Sequence, residues 1–352
     1  MDKERIEKYD TSHMLALLLG FRQQCDKAVT IAQSYNVQPV DRSFENMIFL
    51  GMGGSAMGGE LLKSYLQPFL EIPVAVNRGY TVPEWVSDKT IAIALSFSGN
   101  TEETLSAYRA ALKKKAFLIT VSSGGRLHEL SEKDGCLHMQ IPAGMPPRCA
   151  LGYLTLIPLR IIERLGVIDN QDAQIAETLH TISLLLEELS PEVKAPENLA
   201  KTIAGVLQKN FPVIYASSDV FYAVAYRWCC QIAENAKQLA WCHYFPEMNH
   251  NEIVGWEHPK ELLHSCKVVM LRDSMEYDRT KKRIEVVKGI LSDNKVRPLE
   301  VFSRGKGLLS RLFSLIYIGD FVSFYLALLN EVDPTPISKI DHLKKSLGPF
   351  SL

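Results

Sequence analysis

None of the seven cysteines stands in a CxxC pair, and an odd set of scattered thiols makes no complete disulfide framework. Reduced thiols in a cytoplasmic protein are the expectation, with the adjacent Cys229 and Cys230 in the core. Surplus charge of one sign is also missing. The 39 Lys and Arg are balanced by 40 Asp and Glu, a formal net charge of −1, so the broad basic face that nucleic acid or an anionic membrane demands is not expected. Charge therefore points to a small-molecule partner. The first residues, MDKERIEKYD, are too charged for a secretory signal. The longest apolar segment, Leu308 to Leu329, is interrupted by Arg311 and Asp320 and is expected as a buried helix rather than a membrane span. There is no GxxxxGK[ST], since RGKGLLS at Arg304 does not fit it, and no HExxH.

What is present is enough apolar sequence for a large core: 47% of 352 residues are hydrophobic and 22% charged, which suits two domains of ordinary size. From Asn46, NMIFLGMGGSAMGGELLKSYL runs from a short apolar strand into glycines and then into helical periodicity, the start of a βα unit. IPVAVN (72–77), KTIAIALSFS (89–98), AFLITVSS (116–123) and CLHMQIP (136–142) read as further strands, with helical stretches such as 101–115 between them. Such alternation predicts a mainly parallel, helix-covered sheet. PRCALGYLTLIPLRIIERLG then reads as a helix, and the region 168–210 as two amphipathic helices split by Pro191 and Pro196. A second set comes after it: FPVIYASS (211–218), a helix around 220–239, and the strands CKVVMLR (266–272) and RPLEVFS (297–303). The chain thus divides into an N-terminal α/β domain (1–160), a helical connector (161–210) and a second α/β domain (211–352) ending in a tail helix within DPTPISKIDHLKKSL.

LSFSGNTEET, Leu95 to Thr104, crowds hydroxyls where a strand becomes a helix. A capping box needs one of them. Asn100 as cap with Glu103 three residues on would satisfy it, and the cations Lys113 to Lys115 suit the far end. Ser96, Ser98 and Thr101 are then surplus beside free N–H groups at a positive helix end, where a phosphate is favoured. The other reading is a polar loop with a cap. Gly51-Met52-Gly53-Gly54-Ser55 sits at an equivalent strand end and can bring backbone close to the same ligand, with Ser55 donating. Gly51, Gly53 and Ala56 also match GxGxxA, but the next strand ends in Asn77 and Arg78 where a dinucleotide site wants an acid for the ribose. His243, Glu247, His250 and Glu252 crowd HYFPEMNHNE with possible metal ligands, at a spacing that fits no strong metal pattern.

GGSAMGG (53–59), SFSGNTEET (96–104), PRCALGY (147–153), AENAKQ (233–238) and EMNHNEIVGW (247–256), in this order over most of the chain, resemble the bifunctional phosphoglucose/phosphomannose isomerases of the sugar isomerase (SIS) superfamily. The resemblance implies two SIS domains, each a parallel five-stranded flavodoxin-like sheet flanked by helices, a homodimer, and interconversion of glucose 6-phosphate, mannose 6-phosphate and fructose 6-phosphate without metal or cofactor. It also implies roles. Gly54, Ser55, Ser96, Ser98 and Thr101 would hold the phosphate, Arg148 would stabilise the enediolate, and Glu234 would be the base. His250, with a C-terminal lysine, would open the ring; Lys344 fits best, with Lys339 and Lys345 as alternatives, and Thr335 is a candidate near C1 and C2.

The chemistry needs these residue types whatever the family. Moving a proton between C2 and C1 through a cis-enediol takes a carboxylate on the face of those carbons, a cation near the developing oxyanion and a proton shuttle at the ring oxygen. Each residue also has a plainer reading. Glu234 could pair with Lys237 or Gln238 on a solvated helix face, His250 could be an ordinary loop histidine, and Arg148 could be a surface charge on a loop. Two other function classes stand beside the isomerase. A sugar-phosphate sensor would need no set of Arg148, Glu234 and His250, and a hexosamine-forming amidotransferase would want an N-terminal cysteine nucleophile, whereas the first cysteine is Cys25.

Overall fold

Strands β1 (Asn46–Gly51) and β3 (Thr90–Leu95) have almost no wet face: five residues of the first and all six of the second are buried. Strands of this kind belong in the middle of a parallel sheet covered by helices on both sides. Both lie there. With β2 (Val74–Asn77), β4 (Phe117–Ser122) and β5 (Leu137–Gln140) they form a five-stranded, all-parallel sheet in the order β2-β1-β3-β4-β5. In this flavodoxin-like order the chain leaves β1 toward one edge and β3 toward the other, so the carboxyl ends of β1 and β3 flank a crevice. Gly51 is in register with Leu95, and the loops after these two strands begin at the same height.

The computed structural model describes residues 3–348, which form two compact units that do not follow chain order. Residues 20–173 and 338–348 form one; residues 3–19 and 174–337 form the other. The helices α1 (Lys3–Tyr9) and α2 (Met14–Leu19) thus belong to the second unit. In the first unit, α3 (Phe21–Ser34), α4 (Gly53–Leu66), α5 (Glu102–Lys113), α6 (Gly125–Asp134) and α7 (Leu151–Arg164) surround the five strands. Leu105 and Tyr108 of α5 and Leu127 of α6 pack on Ile48, Leu50, Ala92, Ala94 and Leu118 of the sheet. On α4 lies α7, which also packs on α3.

The second unit is built on a four-stranded parallel sheet, β7-β6-β8-β9, from β6 (Phe211–Ala216), β7 (Trp241–Tyr244), β8 (Cys266–Arg272) and β9 (Leu299–Phe302). Its helices are α8 (Asp172–Leu189, all but its first two residues), α9 (Leu199–Leu207), α10 (Tyr222–Ala236), α11 (Lys260–Ser265), α12 (Asp278–Asp293) and α13 (Leu308–Leu329). The tail helix α14 (Ser338–Leu347) groups with the five-stranded unit. Among the described residues α13 is the one helix long and apolar enough to cross a membrane, and 94% of its apolar window is buried. It is the core helix expected from its sequence, with α9 and α10 packed along it.

One count differs from the expectation of five strands in each sheet: among the described residues the second sheet has four. After β9 the chain enters the 22 residues of α13, and the segment from there to the end of α14 carries no alternating apolar run from which a fifth strand could form. Cys229 and Cys230, expected in the core, are half-buried; all seven cysteines are free thiols.

Candidate active site

The two loops flanking the β1/β3 crevice are cross-linked by their own hydroxyls. Ser55, in the first turn of α4, is buried, and its Oγ accepts from the Phe97 N–H at 3.0 Å. With that lone pair engaged, its O–H remains to donate. Ser96, fully buried, donates to Thr101 Oγ1 at 3.0 Å. Ser98 is exposed, and its Oγ accepts from the Asn100 N–H. Neither α4 nor α5 has a side-chain hydrogen bond at its N-cap. Their first-turn N–H groups face the carboxyl edge of the sheet with the positive ends of two helix dipoles behind them. No Lys or Arg occurs in 51–55 or 95–101, so the donors of these loops are hydroxyls and amides. Such a pair of helix starts is suited to an anion with several oxygens, a phosphate above all.

Asn100 is not the cap of α5. Thr101 occupies that position, and Asn100 Oδ1 accepts from the N–H of Arg126, at the turn from β4 into α6. That turn braces the hydroxyl loop at further points: Ser123 donates through its backbone N–H (2.9 Å) and its hydroxyl (2.7 Å) to the Phe97 carbonyl, and Leu127 N donates to the Gly99 carbonyl. Gly99 sits at φ +69°, and a Cβ on it would stand 1.8 Å from the Gly124 oxygen. The loop folds only with glycine there. This third loop was not singled out from the sequence, although SSGGR (122–126) repeats the pattern of hydroxyls and glycines at a strand end.

Gly54 is fixed by a different approach. A Cβ on it would lie 2.8 Å from the backbone N of Arg148 and 2.9 Å from its Cα, so the turn Pro147–Cys149 rests directly on the glycine loop. Arg148 is 3% exposed, which removes its reading as a surface charge. These residues, Gly54, Ser55, Ser96, Ser98, Thr101 and Arg148, gather in the five-stranded unit. Lys339, Lys344 and Lys345 all lie on α14, and all three are exposed.

Glu234 and His250 belong to the four-stranded unit. Glu234 is half-buried in the last turn of α10, which Lys237 ends in a left-handed conformation, φ 56°. Lys237 Nζ donates to the main-chain carbonyls of Glu234 and Pro334. Gln238, the other candidate for a surface partner, donates to the carbonyls of Leu207 and Asn210. His250 is exposed at the end of a short helical turn, Glu247–His250, that Met248 anchors in the core. Two residues on, Glu252 accepts from Tyr215 Oη and from Trp241 Nε1, and Trp256 Nε1 donates to the same phenol at 2.8 Å. Burial and the Glu252 carboxylate push the Tyr215 phenol well above its ordinary pKa. Thr335 is half-buried, its N–H donating to Asp333 Oδ1. His243 Nδ1 accepts from the Tyr244 N–H. Among the described residues no group of three or more His, Cys, Asp or Glu side chains is arranged to hold a metal ion.

A solved structure of a hypothetical protein from Thermus thermophilus has the same fold, with a TM-score of 0.73 at 16% identity over 99% of this chain and 94% of the other. Residues 196–347 match the family described as bacterial phospho-glucose isomerase C-terminal SIS domain. Fold and match define a two-sheet protein of the SIS class. Over 335 residues, 95% of this chain and 99% of the other, the sequence is 43% identical to the bifunctional phosphoglucose/phosphomannose isomerase of Caldicellulosiruptor bescii. It is 38% identical over 307 residues to the enzyme of the same name from Thermoplasma acidophilum, covering 87% and 91% of the two chains. The chain belongs to the family of bifunctional phosphoglucose/phosphomannose isomerases.

Proposed function

We propose that the protein interconverts glucose 6-phosphate and mannose 6-phosphate with fructose 6-phosphate through a cis-enediol. The observation that carries this reading is the pair of uncapped helix starts at the β1/β3 crevice, linked through Ser55, with the second loop tied internally by Ser96–Thr101 and both loops supplied only with neutral donors. Gly54, Ser55, Ser96, Ser98 and Thr101 hold the phosphate. Glu234 moves the proton between C2 and C1, the Arg148 guanidinium stabilises the oxyanion that develops, and His250 with Lys344 opens the ring. Supplying fructose 6-phosphate and following glucose 6-phosphate and mannose 6-phosphate tests the activity directly. Formation of both is expected; binding of fructose 6-phosphate without either product leaves a sugar-phosphate sensor in its place.

The working form is proposed to be a cytoplasmic homodimer, which suits free thiols and balanced charge. In it His250 reaches the active site of the second copy, a role that fits an exposed imidazole on a loop held rigid by Glu252. Glu234→Gln and His250→Ala chains, each inactive alone, should regain part of the activity when dissociated and reassociated together, because a hybrid dimer carries one intact set of residues. Hybrids that form and stay inactive would mean that His250 acts within its own chain or not at all.

A further inference from the structure

The motif AENAKQ contains more than the carboxylate. Asn235, next to Glu234, is 1% exposed, and its Nδ2 donates to Ser323 Oγ of α13 at 2.9 Å. Ser323 in turn donates to the Asp320 carbonyl. One turn back along α10, Gln231 Nε2 donates to Asp320 Oδ1 at 2.9 Å, and two turns back Arg227 grips both carboxylate oxygens of Asp320, Nε to Oδ1 at 3.1 Å and Nη2 to Oδ2 at 2.8 Å. Arg227, Gln231 and Asn235 follow one another at intervals of four, so they form a single buried polar stripe on α10 facing α13. Apolar side chains tolerate a helix sliding or rolling by a fraction of a turn. A bidentate guanidinium–carboxylate pair does not, because either motion strands a buried charge.

The end of the helix is held as well. Asn330 Nδ2, just past α13, donates to the Ala236 carbonyl and to Gln238 Oε1, both at 3.0 Å. Gln238 is tied to the 207–210 turn and Lys237 to Pro334. The last turn of α10 is thus fixed from three directions, and it is the turn that bears Glu234.

We propose that Asn235, Ser323 and Asn330, backed by the Arg227–Asp320 pair, are positioning residues that hold the rotation and register of α10 and so preorganise the Glu234 carboxylate. The proposal rests on the reading of Glu234 as the base. Its energetic logic is that a base displaced by about 1 Å loses on the order of 100-fold in rate while substrate binding, which depends on other loops, is kept.

The test compares Ser323→Ala and Asn330→Ala with Tyr325→Phe in the full-length protein. Tyr325 lies on α13 like Ser323, and its Oη donates to the Leu189 carbonyl at the end of α8, so its loss removes a comparable hydrogen bond off the stripe. Thermal midpoint, KM and kcat for fructose 6-phosphate, and solvent-deuterium incorporation into the sugar are measured for each. Ser323→Ala and Asn330→Ala are expected to lower kcat and exchange about 10-fold or more with KM within about 2-fold, while Tyr325→Phe lowers only the midpoint. Loss of kcat in all three in proportion to the midpoint, or in none, overturns the proposal. Glu234→Gln run in parallel separates the two ideas: if it exchanges at the wild-type rate the base reading has failed, and if it is inert while the stripe variants are fully active the positioning reading alone has failed.

Discussion

Glu234→Gln is expected to bind fructose 6-phosphate nearly as the wild type does and to exchange almost no deuterium into C1 or C2, a loss of about 100-fold or more in proton transfer. Glutamine keeps the size and hydrogen-bonding capacity of the side chain but cannot take a proton. The site on α10 adds a reason to expect binding to survive: the neighbouring residues Asn235, Lys237 and Gln238 are anchored through their own side chains and do not depend on the charge at 234. The measurement is mass or NMR detection of label in the sugar after incubation in deuterated water. Exchange near the wild-type rate would mean another base. Glu252 is an unsuitable substitute, because its two oxygens already accept from Tyr215 and Trp241. Protonating it would disturb the anchor of the whole 247–256 loop.

Replacing Ser96 and Thr101 together by alanine is expected to raise KM for fructose 6-phosphate at least about 10-fold, the charge-assisted hydrogen bond lost with the Thr101 hydroxyl, which Ser96 orients, being worth about 1.5–3 kcal/mol. The Ser96–Thr101 hydrogen bond makes the effect non-additive. Removing Ser96 leaves the Thr101 hydroxyl without its donor and free to rotate away from the ligand, so either single change already costs most of what the double change does. Ser55→Ala should act partly through the fold, since the Phe97 N–H then loses its acceptor inside the core. Titration with the sugar phosphate and with the unphosphorylated sugar isolates the phosphate term; equal KM in wild type and double variant would remove these loops from the site.

The five-stranded sheet was legible because its strands are short apolar runs separated by glycine-, serine- or proline-containing turns, and because β1 and β3 are apolar throughout after their first residues, Asn46 and Thr90. The hydroxyl loop was legible for the opposite reason, its polarity being more than a cap requires. The exact cap was not. Asn100 and Thr101 are both good caps by type, and what decided between them is the turn from β4 into α6, where the Arg126 N–H takes the Asn100 oxygen. A contact with a residue 26 positions away leaves no local trace. β7 escaped for lack of length: WCHY is four residues with Trp241 exposed, and a histidine within it drew the reading toward metal ligands instead. The sequence could not place the ends of the chain either. α1, α2 and α14 are short helices, and nothing in their local sequence says which sheet they join. For Glu234 and His250, the residue types and order were readable from the resemblance. The Arg227–Asp320 stripe was hidden inside helices that read as ordinary core.

Among the described residues the second sheet ends at β9, and an edge strand is the kind of border along which chains add to one another and precipitate. β9 is only four residues long, too short to template a stable foreign strand. At its second position stands Glu300, whose carboxylate is held between Arg272 and Lys288. A strand approaching this border would have to strip water from that charge cluster before it gained a single ladder bond. Three charges thus serve where another protein would spend a whole strand, and they make Glu300 a residue whose replacement by valine would cost solubility before it cost activity.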